Sequence, residues 1–232
     1  MTQRALIVFA RLPEAGTVKT RMTPPLTPRQ AADLYTAMLG DVLETSAEVC
    51  ASATADLFVT ITPADRLLQF SDLFAGHTSL EVAHLVAQCE GSLGVRMHHA
   101  FAQAAAAGYD RIILRGSDSP ALPAGQLQEA FEALEEVDLA IGPDLDGGYN
   151  WIAARRAHTG LLDHEMSTSS VSEKTLEHAE RLGLRSRVFE PSFDLDTASD
   201  LERLRGRTTE FREGVAQRTR AWLESSGAAS CE

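Results

Sequence analysis

The chain has 232 residues, of which 44% are hydrophobic and 23% are charged, and its formal net charge is -12. This length and composition suit one large globular domain with its own apolar core. The acidic balance argues against binding to nucleic acid or to an anionic membrane surface, because no basic stripe is available to neutralise phosphates. No apolar run approaches the roughly 20 residues of a membrane span. We therefore expect neither a nucleic-acid nor a membrane partner.

The three cysteines, Cys50, Cys89 and Cys231, have no metal-ligand spacing, and their odd number argues against a disulfide framework. The first residues lead directly into a strand-like stretch and lack the pattern of a signal peptide. Together these features predict a cytoplasmic protein. No apolar surface stripe stands out, so the oligomeric state stays open, a homo-oligomer included.

Short apolar runs alternate with longer amphipathic stretches along the chain. The first run, residues 4–10, predicts a strand buried on both faces, as in parallel sheets. Thr27 and Pro28 predict the cap and first residue of a helix. Further strands are predicted at 56–62, 79–86, 111–115, 137–142, 148–154 and 185–190, and helices at 93–107, 122–136, 171–182, 197–204 and 208–223. This alternation predicts a single three-layer α/β domain of Rossmann-like form with a mostly parallel central sheet.

We expect three parts in the chain. A catalytic domain spans residues 1–207, and a C-terminal helix at 208–224 packs on it. The small, polar residues 225–232 are expected to be disordered.

The loop at residues 11–21 follows the first predicted strand, where open α/β sheets bind their ligands. Gly16 allows backbone N–H groups to approach an anion, and Arg11, Lys19 and Arg21 supply positive charge. The loop is not a Walker motif, because the GxxxxGK[ST] pattern is absent. A phosphate-binding loop is therefore the favoured interpretation, with a solvated basic loop as the alternative.

The loop after the fourth predicted strand carries Ser117 and Asp118. An acid at the end of a strand, in a loop rich in Gly, Ser and Pro, is well placed to hold Mg²⁺ or Mn²⁺, since hard cations prefer carboxylate oxygen. The alternative is that Asp118 caps the next helix, but that helix is predicted to begin near Pro123.

Asp146 lies beside Gly147 and Gly148, a pair that suits close approach of the backbone to a ligand. An ordinary hairpin turn would explain this Asp-Gly-Gly sequence as well. Both interpretations remain open at this point.

Asp194 and Asp196 are two residues apart in an extended segment, so their side chains project to one side. Asp196 is a candidate second metal ligand. Thr197 and Asp200 have the spacing of a helix cap and its partner.

Several groups of residues in this sequence match a known family pattern. They are Phe9, Arg11, Pro13, Gly16, Val18, Lys19, Thr20 and Arg21; then Gln88, Gly91, Leu93, Gly94, Arg96 and Met97; then Gly116, Asp118 and Pro120; then Gly142, Asp144, Asp146, Gly148 and Tyr149; and last Asp194, Asp196, Asp200 and Leu201. Together they resemble the DUF2064 family, also described as rSAM/selenodomain-associated or arsenosugar-biosynthesis glycosyltransferases of the nucleotide-diphospho-sugar transferase superfamily. They are also similar to phospholactate and phosphoenolpyruvate guanylyltransferases.

The resemblance covers roughly residues 5 to 205 and implies a GT-A-like fold, a nucleotide-bearing donor and a divalent metal, Mg²⁺ or Mn²⁺, at Asp118. Gly91 joins the nucleotide-binding candidates through the second group of matching residues. The chain departs from the family pattern at Met166, where the family usually has Trp, and at Asn150, where it tends to have Tyr. Both departures lie where an acceptor is expected, so the resemblance does not identify the acceptor.

Two reactions fit these residues. The first is glycosyl transfer from a nucleotide sugar to a small-molecule acceptor, with Asp146 as a candidate base or second acidic contact. The second is nucleotidyl transfer from an NTP, GTP or CTP, to a phosphorylated or carboxylated acceptor, in which Lys19 and Arg21 stabilise departing pyrophosphate while Asp118 and Asp196 hold the metal. A non-catalytic nucleotide-binding protein is expected to have lost some of these groups, and this chain retains them all.

Overall fold

The computed structural model describes residues 3–166, 168–192, 194–206 and 215–226. Its strands are β1 (Arg4–Arg11), β2 (Ala55–Thr62), β3 (Ala83–Ala87), β4 (Arg111–Arg115), β5 (Leu139–Pro143), β6 (Tyr149–Ala154) and β7 (Ser186–Val188). They form one sheet in the order β3-β2-β1-β4-β6-β5-β7. Neighbouring strands are parallel except at β6, which runs antiparallel to both β4 and β5.

The helices are α1 (Pro28–Ala53), α2 (Leu67–Leu73), α3 (Thr78–Glu81), α4 (Leu93–Ala106), α5 (Ala124–Ala133), α6 (Val171–Arg181), α7 (Ala198–Gly206) and α8 (Gln217–Ser225). Helix α1 begins as predicted. The Thr27 side chain accepts from the Gln30 amide and the Gln30 side chain accepts from the Thr27 amide, so a capping box precedes Pro28.

Packing on both faces of the sheet produces the three predicted layers. Leu6 and Val8 of β1 face α1 and α5, where they join Leu39 and Phe131 in one apolar cluster. Ile7, between them, points to the opposite face and joins a cluster with residues of α4 and α6. This alternation along a strand buried on both faces is typical of α/β domains. The predicted fold class is confirmed.

Strand β6 is reversed because of the short connection before it. Only residues 144–148 separate β5 from β6, whereas a parallel crossover needs a dozen or more residues. The hairpin interpretation of the Asp-Gly-Gly sequence is therefore confirmed. The reversal brings the beginning of β6 to the same edge of the sheet as the ends of β4 and β5.

The prediction of a strand at 79–86 is wrong for the first half of that range. Thr78–Glu81 forms a helical turn, and β3 begins only at Ala83. Strand β3 lies at the edge of the sheet and pairs with β2 alone, with Ala83 opposite Leu57, so residues before Glu81 would extend beyond the start of β2 at Ala55. Helix α2 was not predicted. The predicted helix at 208–223 corresponds to α8 from Gln217 onwards, and residues 208–214 lie outside the described part of the chain.

Helix α8 packs on α1 through a small apolar cluster that includes Leu34 and Leu223. The Asp41 carboxylate of α1 accepts the backbone N–H groups of Arg218 and Thr219, at 2.9 and 2.8 Å, in the first turn of α8. An acid on α1 thus supplies the N-terminal cap of a helix remote in sequence. Among the described helices, none combines the length and apolar character that a membrane crossing requires.

Candidate active site

A cleft of about 720 Å³ lies beyond the carboxyl ends of β1, β2, β4 and β5, at the edge where this type of sheet binds ligands. Its walls include Arg11, Lys19, Arg21, Ser117, Asp118, Asp146, Gly148 and Asp196, all predicted from the sequence. The predicted residues Gly16, Gly91 and Gly147 do not line it. The structure therefore brings four segments that are distant in sequence to one place.

Lys19 is buried at the centre of this cleft. Its backbone is left-handed, with φ of 49°, at the start of a short 3₁₀ turn, and its side chain is 3% exposed. The ammonium contacts the carboxylates of both Asp118 and Asp196, the latter at 2.7 Å. Burial alone would lower the pKa of Lys19, but the two carboxylates raise it above its ordinary value. Lys19 is therefore a permanent positive charge between two acids.

Asp118 and Asp196 provide oxygen ligands that fit a divalent ion. Both carboxylates reach the same cation and are 43% and 39% exposed to the cleft. Burial would raise the pKa of Asp196, but Lys19 and Arg21 lower it, so this acid is ionised. No three His, Cys, Asp or Glu side chains within the described ranges are arranged as a complete metal centre. Mg²⁺ commonly takes one or two carboxylates and completes its shell with substrate phosphates and water, and this pair of acids suits that pattern.

Asp118 does not cap the following helix. Helix α5 begins at Ala124 with Pro123 as its cap, and the Asp118 carboxylate instead contacts Lys19. The alternative structural role considered for this acid is thus not observed.

Asp194 lies deeper in the same cleft. Its Oδ1 accepts hydrogen bonds from Ser119 Oγ and from Asn150 Nδ2, the latter at 2.6 Å. Burial, with a further contribution from Asp118, raises the pKa of Asp194 to about 6. Sequence analysis identified Asp194, named Asn150 only as a departure from the family pattern and did not single out Ser119, because these contacts join distant segments.

Arg115 places a positive charge behind these acids. It ends β4, is 1% exposed, and donates to the Ser119 carbonyl at 2.9 Å and to Ser46 Oγ at 3.3 Å. Burial lowers the pKa of Arg115 to about 10, although Asp194 acts in the opposite direction. An arginine that directly follows the apolar residues Ile112, Ile113 and Leu114 at the end of a strand was a signal that sequence analysis did not use.

Asp144 and Asp146 lie in the turn between β5 and β6. Asp144 accepts from the backbone N–H groups of Leu145 and Asp194, at 2.7 and 3.1 Å. Burial, the charge of Asp194 and a hydrogen bond with Asp146 raise the pKa of Asp144 to about 7. Asp144 therefore keeps its proton up to near neutral pH.

Gly147 occupies the same turn with φ of 95°, and a Cβ there would collide with the Ser169 carbonyl. The close approach predicted at this glycine is therefore to the protein's own backbone. Gly148 lines the cleft, and its amide donates to Asp146 Oδ1 at 3.1 Å.

Tyr35 connects two of the loops that line the cleft. This buried residue of α1 accepts a hydrogen bond from the Arg11 amide at 3.0 Å, and its hydroxyl lies 2.7 Å from Ser117 Oγ. Tyr35 lies among the buried apolar residues of α1, so the sequence pattern gives no sign of this role. Its hydroxyl fixes the end of β1 relative to the loop that carries Asp118.

Residues 45–170 match the model of the family described as "Uncharacterized protein conserved in bacteria (DUF2064)". The chain belongs to the DUF2064 family. The resemblance seen in the sequence is thus confirmed, and the match covers the β4 loop with Asp118 and the turn with Asp146.

This DUF2064 protein is similar to a guanylyltransferase and to a candidate nucleotide-diphospho-sugar transferase. It is 28% identical over 214 residues to a 2-phospho-L-lactate guanylyltransferase of Methanothermobacter thermautotrophicus, covering 90% of this chain and 87% of that one. A structure from Desulfovibrio desulfuricans G20, named as a candidate nucleotide-diphospho-sugar transferase, is 31% identical with a TM-score of 0.85, covering 97% and 95% of the two chains. The protein is an enzyme of the nucleotidyl- or sugar-transferase kind.

A further structure supports the fold alone. A nucleotidyl transfer enzyme of Methanothermobacter thermautotrophicus superposes with a TM-score of 0.58 at 17% identity, covering 91% of this chain and 100% of that one.

Proposed function

We propose that this protein transfers a sugar from a nucleotide sugar to a hydroxyl group of a small-molecule acceptor, with Mg²⁺ or Mn²⁺ as its cofactor. The observation that supports this proposal is the meeting of Lys19 with Asp118 and Asp196 inside the cleft. A diphosphate needs positive charge as it leaves, and this is where the chain offers both an ammonium and oxygen ligands for a metal. A bound divalent ion would neutralise charge on the leaving nucleoside diphosphate.

Two basic residues of the cleft would bind the phosphates of the donor. Lys19 and Arg21 bind phosphate oxygens, Lys19 as a point charge and Arg21 as a planar fork. Arg21 is well suited to meet an incoming donor, because its side chain is 67% exposed and holds Asp196 only at 3.4 Å. Ser117 lies in the loop after β4 and Gly148 in the turn between β5 and β6, and both line the cleft.

Asp146 is the proposed base. It lies in the wall of the cleft beside Asp144, whose pKa is raised to about 7. A carboxylate base is useful for an acceptor that must lose a proton, such as a hydroxyl group. A phosphate or carboxylate acceptor is already ionised and needs no such base, so Asp146 favours glycosyl over nucleotidyl transfer.

Nucleotidyl transfer from an NTP is the second candidate. The similarity to a 2-phospho-L-lactate guanylyltransferase over 90% of the chain favours it. In that reaction Lys19 and Arg21 would bind the departing pyrophosphate, and the acceptor would carry a phosphate or a carboxylate.

Product analysis distinguishes the two reactions. The full-length protein is incubated with Mn²⁺ and a panel of nucleotide sugars or NTPs, with binding followed by thermal shift and products by ion-exchange chromatography. Stabilisation by a nucleotide sugar and release of a nucleoside diphosphate are expected. Stabilisation by an NTP alone, with pyrophosphate released once 2-phospho-L-lactate is added, would overturn glycosyl transfer.

The matched variants for this test are Asp118→Asn and Asp33→Asn. Both remove one negative charge, but Asp33 is exposed on α1 and does not line the cleft. Only the change at Asp118 should abolish the metal-dependent shift. Equal shifts in the two variants would contradict the proposed metal site.

A further inference from the structure

Lys19 and Arg21 pair with acids of the cleft, whereas two further arginines, Arg11 and Arg96, lie on its other side. Arg11 at the end of β1 and Arg96 in the first turns of α4 belong to the half formed by β1, β2 and β3. The acids lie in the other half, beyond β4, β5 and β6, at Asp118, Asp144, Asp146, Asp194 and Asp196. The metal and base proposed above concern the acidic half and give no role to Arg96, while Arg11 was predicted from the sequence to belong to a phosphate-binding loop.

One nitrogen of the Arg96 guanidinium group is fixed by a hydrogen bond. Its Nη1 donates to Gln88 Oε1 at 2.7 Å. Gln88 is itself buried, and its Nε2 donates to the Thr60 carbonyl of β2 at 2.9 Å. The orientation of Arg96 is thus fixed by the sheet, whereas its buried Nε has no hydrogen-bond partner among the described residues.

Neither Arg11 nor Arg96 forms an ion pair with a carboxylate of the described chain. This distinguishes them from Arg111, for example, which pairs with Glu135 at 2.7 Å. Burial, together with the nearby positive charge of Arg11, lowers the pKa of Arg96. Two neighbouring guanidinium groups without an acid repel each other, and an anion bound between them would remove that repulsion.

We infer that Arg11 and Arg96 form a second anion-binding subsite, which takes a phosphate or carboxylate group of a substrate at the basic end of the cleft. Guanidinium N–H groups match the oxygens of either anion and bind them in pairs. The inference rests on the proposed function to the extent that this cleft binds the substrates. The anion has two sources, the phosphate chain of the nucleotide donor or an anionic group on the acceptor.

Calorimetric titrations in EDTA test the subsite without metal or turnover, so the result is independent of which reaction the enzyme performs. The probes are GDP and UDP for the donor, 2-phospho-L-lactate for an anionic acceptor, and guanosine and uridine for the base alone. The variants are Arg11→Gln, Arg96→Gln and Arg96→Lys. Arg66→Gln is the control, because Arg66 pairs with Glu14 and does not line the cleft.

We expect both glutamine variants to bind a nucleoside diphosphate or 2-phospho-L-lactate about ten-fold or more weakly, as loss of a charge-assisted hydrogen bond implies. The probe that is affected identifies the source of the anion. Arg96→Lys should recover part of the loss, and Arg66→Gln should have no effect. Arg11 is exposed, so its variant tests the inference even where a change at Arg96 impairs folding.

Unchanged affinities for every anionic probe would overturn the inference, as would a wild-type protein that binds none of them. An equal loss for nucleosides and nucleoside diphosphates would also overturn it, since the arginines would then contact the base.

Discussion

The Lys19 ammonium donates a hydrogen bond to Asp196 Oδ1 at 2.7 Å across 177 residues of sequence. The same ammonium contacts Asp118, so the loop after β1, the loop after β4 and the segment before α7 meet at one charge. A divalent ion bound by the two acids would take over the role of that ammonium. Metal binding is therefore expected to release Lys19 towards the phosphates of the donor.

Replacing Lys19 with methionine should destabilise the metal-free protein by about 1–3 kcal/mol, because two neighbouring carboxylates lose their shared cation. Mn²⁺ should restore much of this loss by replacing the missing charge, whereas nucleotide affinity should stay low. Urea unfolding with and without Mn²⁺ measures the first effect. Arg21→Met is the control, since the exposed Arg21 should contribute less than about 1 kcal/mol. An equal loss in both variants, unaffected by Mn²⁺, would show that Lys19 does not occupy the metal position.

Asp118→Asn and Asp196→Asn should each weaken Mn²⁺ binding in the presence of a nucleoside diphosphate by at least about ten-fold, as expected when a metal site loses an anionic ligand. Free Mn²⁺ measured by electron paramagnetic resonance gives the affinity directly. Asp65→Asn removes a similar charge outside the cleft and should leave Mn²⁺ binding unchanged. Wild-type affinity in both cleft variants would refute the assignment of these two ligands.

The stability of the metal-free protein should depend on pH through Asp144. The pKa of Asp144 is about 7 in the folded chain and about 3.9 when unfolded, so between these values the folded state keeps a proton that the unfolded state has lost. Raising the pH through this window therefore favours unfolding, and above about pH 7 the effect levels off. An asparagine at this position mimics the protonated acid, so Asp144→Asn should remove this fall in stability.

The measurement is the difference in unfolding free energy between wild type and Asp144→Asn, from about pH 4 to about pH 8 in EDTA. Taking the difference cancels the histidines, whose lowered pKa values at His77, His158 and His164 act in the opposite direction. A constant difference across this range would mean that Asp144 is ionised throughout.

Tyr35→Phe should cost about 1–3 kcal/mol of stability, because it removes the buried partner of the Arg11 amide and of Ser117. It should also weaken nucleotide binding, since the two loops that line the cleft lose their common anchor. Denaturant unfolding and nucleotide titration measure these effects. Tyr109→Phe is the matched control, because the Tyr109 hydroxyl bonds Asp56 at an exposed position. If both variants behave alike, Tyr35 has no positioning role.

Gly147→Ala should destabilise the protein by more than about 2 kcal/mol, since a methyl group would meet the Ser169 carbonyl and the backbone is left-handed. Gly125→Ala is the opposite case. Gly125 lies in α5 with open space around it, so alanine should stabilise the helix by about 0.5–1 kcal/mol. Thermal unfolding of both variants compares the two effects, and a tolerated alanine at 147 would contradict the packing of this turn.

Features set by local sequence were predictable. Strand β1 and the capped start of α1 follow from a continuous apolar run and from Thr27 with Pro28. The meeting of Lys19, Asp118 and Asp196 was predictable from the rule that strand ends face one crevice. The reversal of β6 was also within reach, because a connection as short as residues 144–148 cannot form a crossover.

Other features depend on tertiary contacts that a sequence pattern does not contain. Tyr35 falls on the apolar face of its helix like any core residue, and only the fold brings its hydroxyl to Ser117. The same is true of Asn150 and Ser119, which become partners of Asp194 through pairing of segments far apart in the chain. Helix α3 replaced part of a predicted strand, since residues before Glu81 would extend beyond the start of β2, the one strand that pairs with β3.

The turn between β5 and β6 has a consequence for how substrate preference can change in this enzyme. Strands hold it at both ends, and Ser169 closes over it at Gly147, so insertions there would disrupt the sheet. The longer connection from β6 to α6 contributes Met166, Thr168 and Ser169 to the cleft, and its described residues, 155–166 and 168–170, belong to no strand. Diversification towards new acceptors is therefore expected to proceed by changes of length and sequence in that connection. The turn between β5 and β6 is expected to stay unchanged.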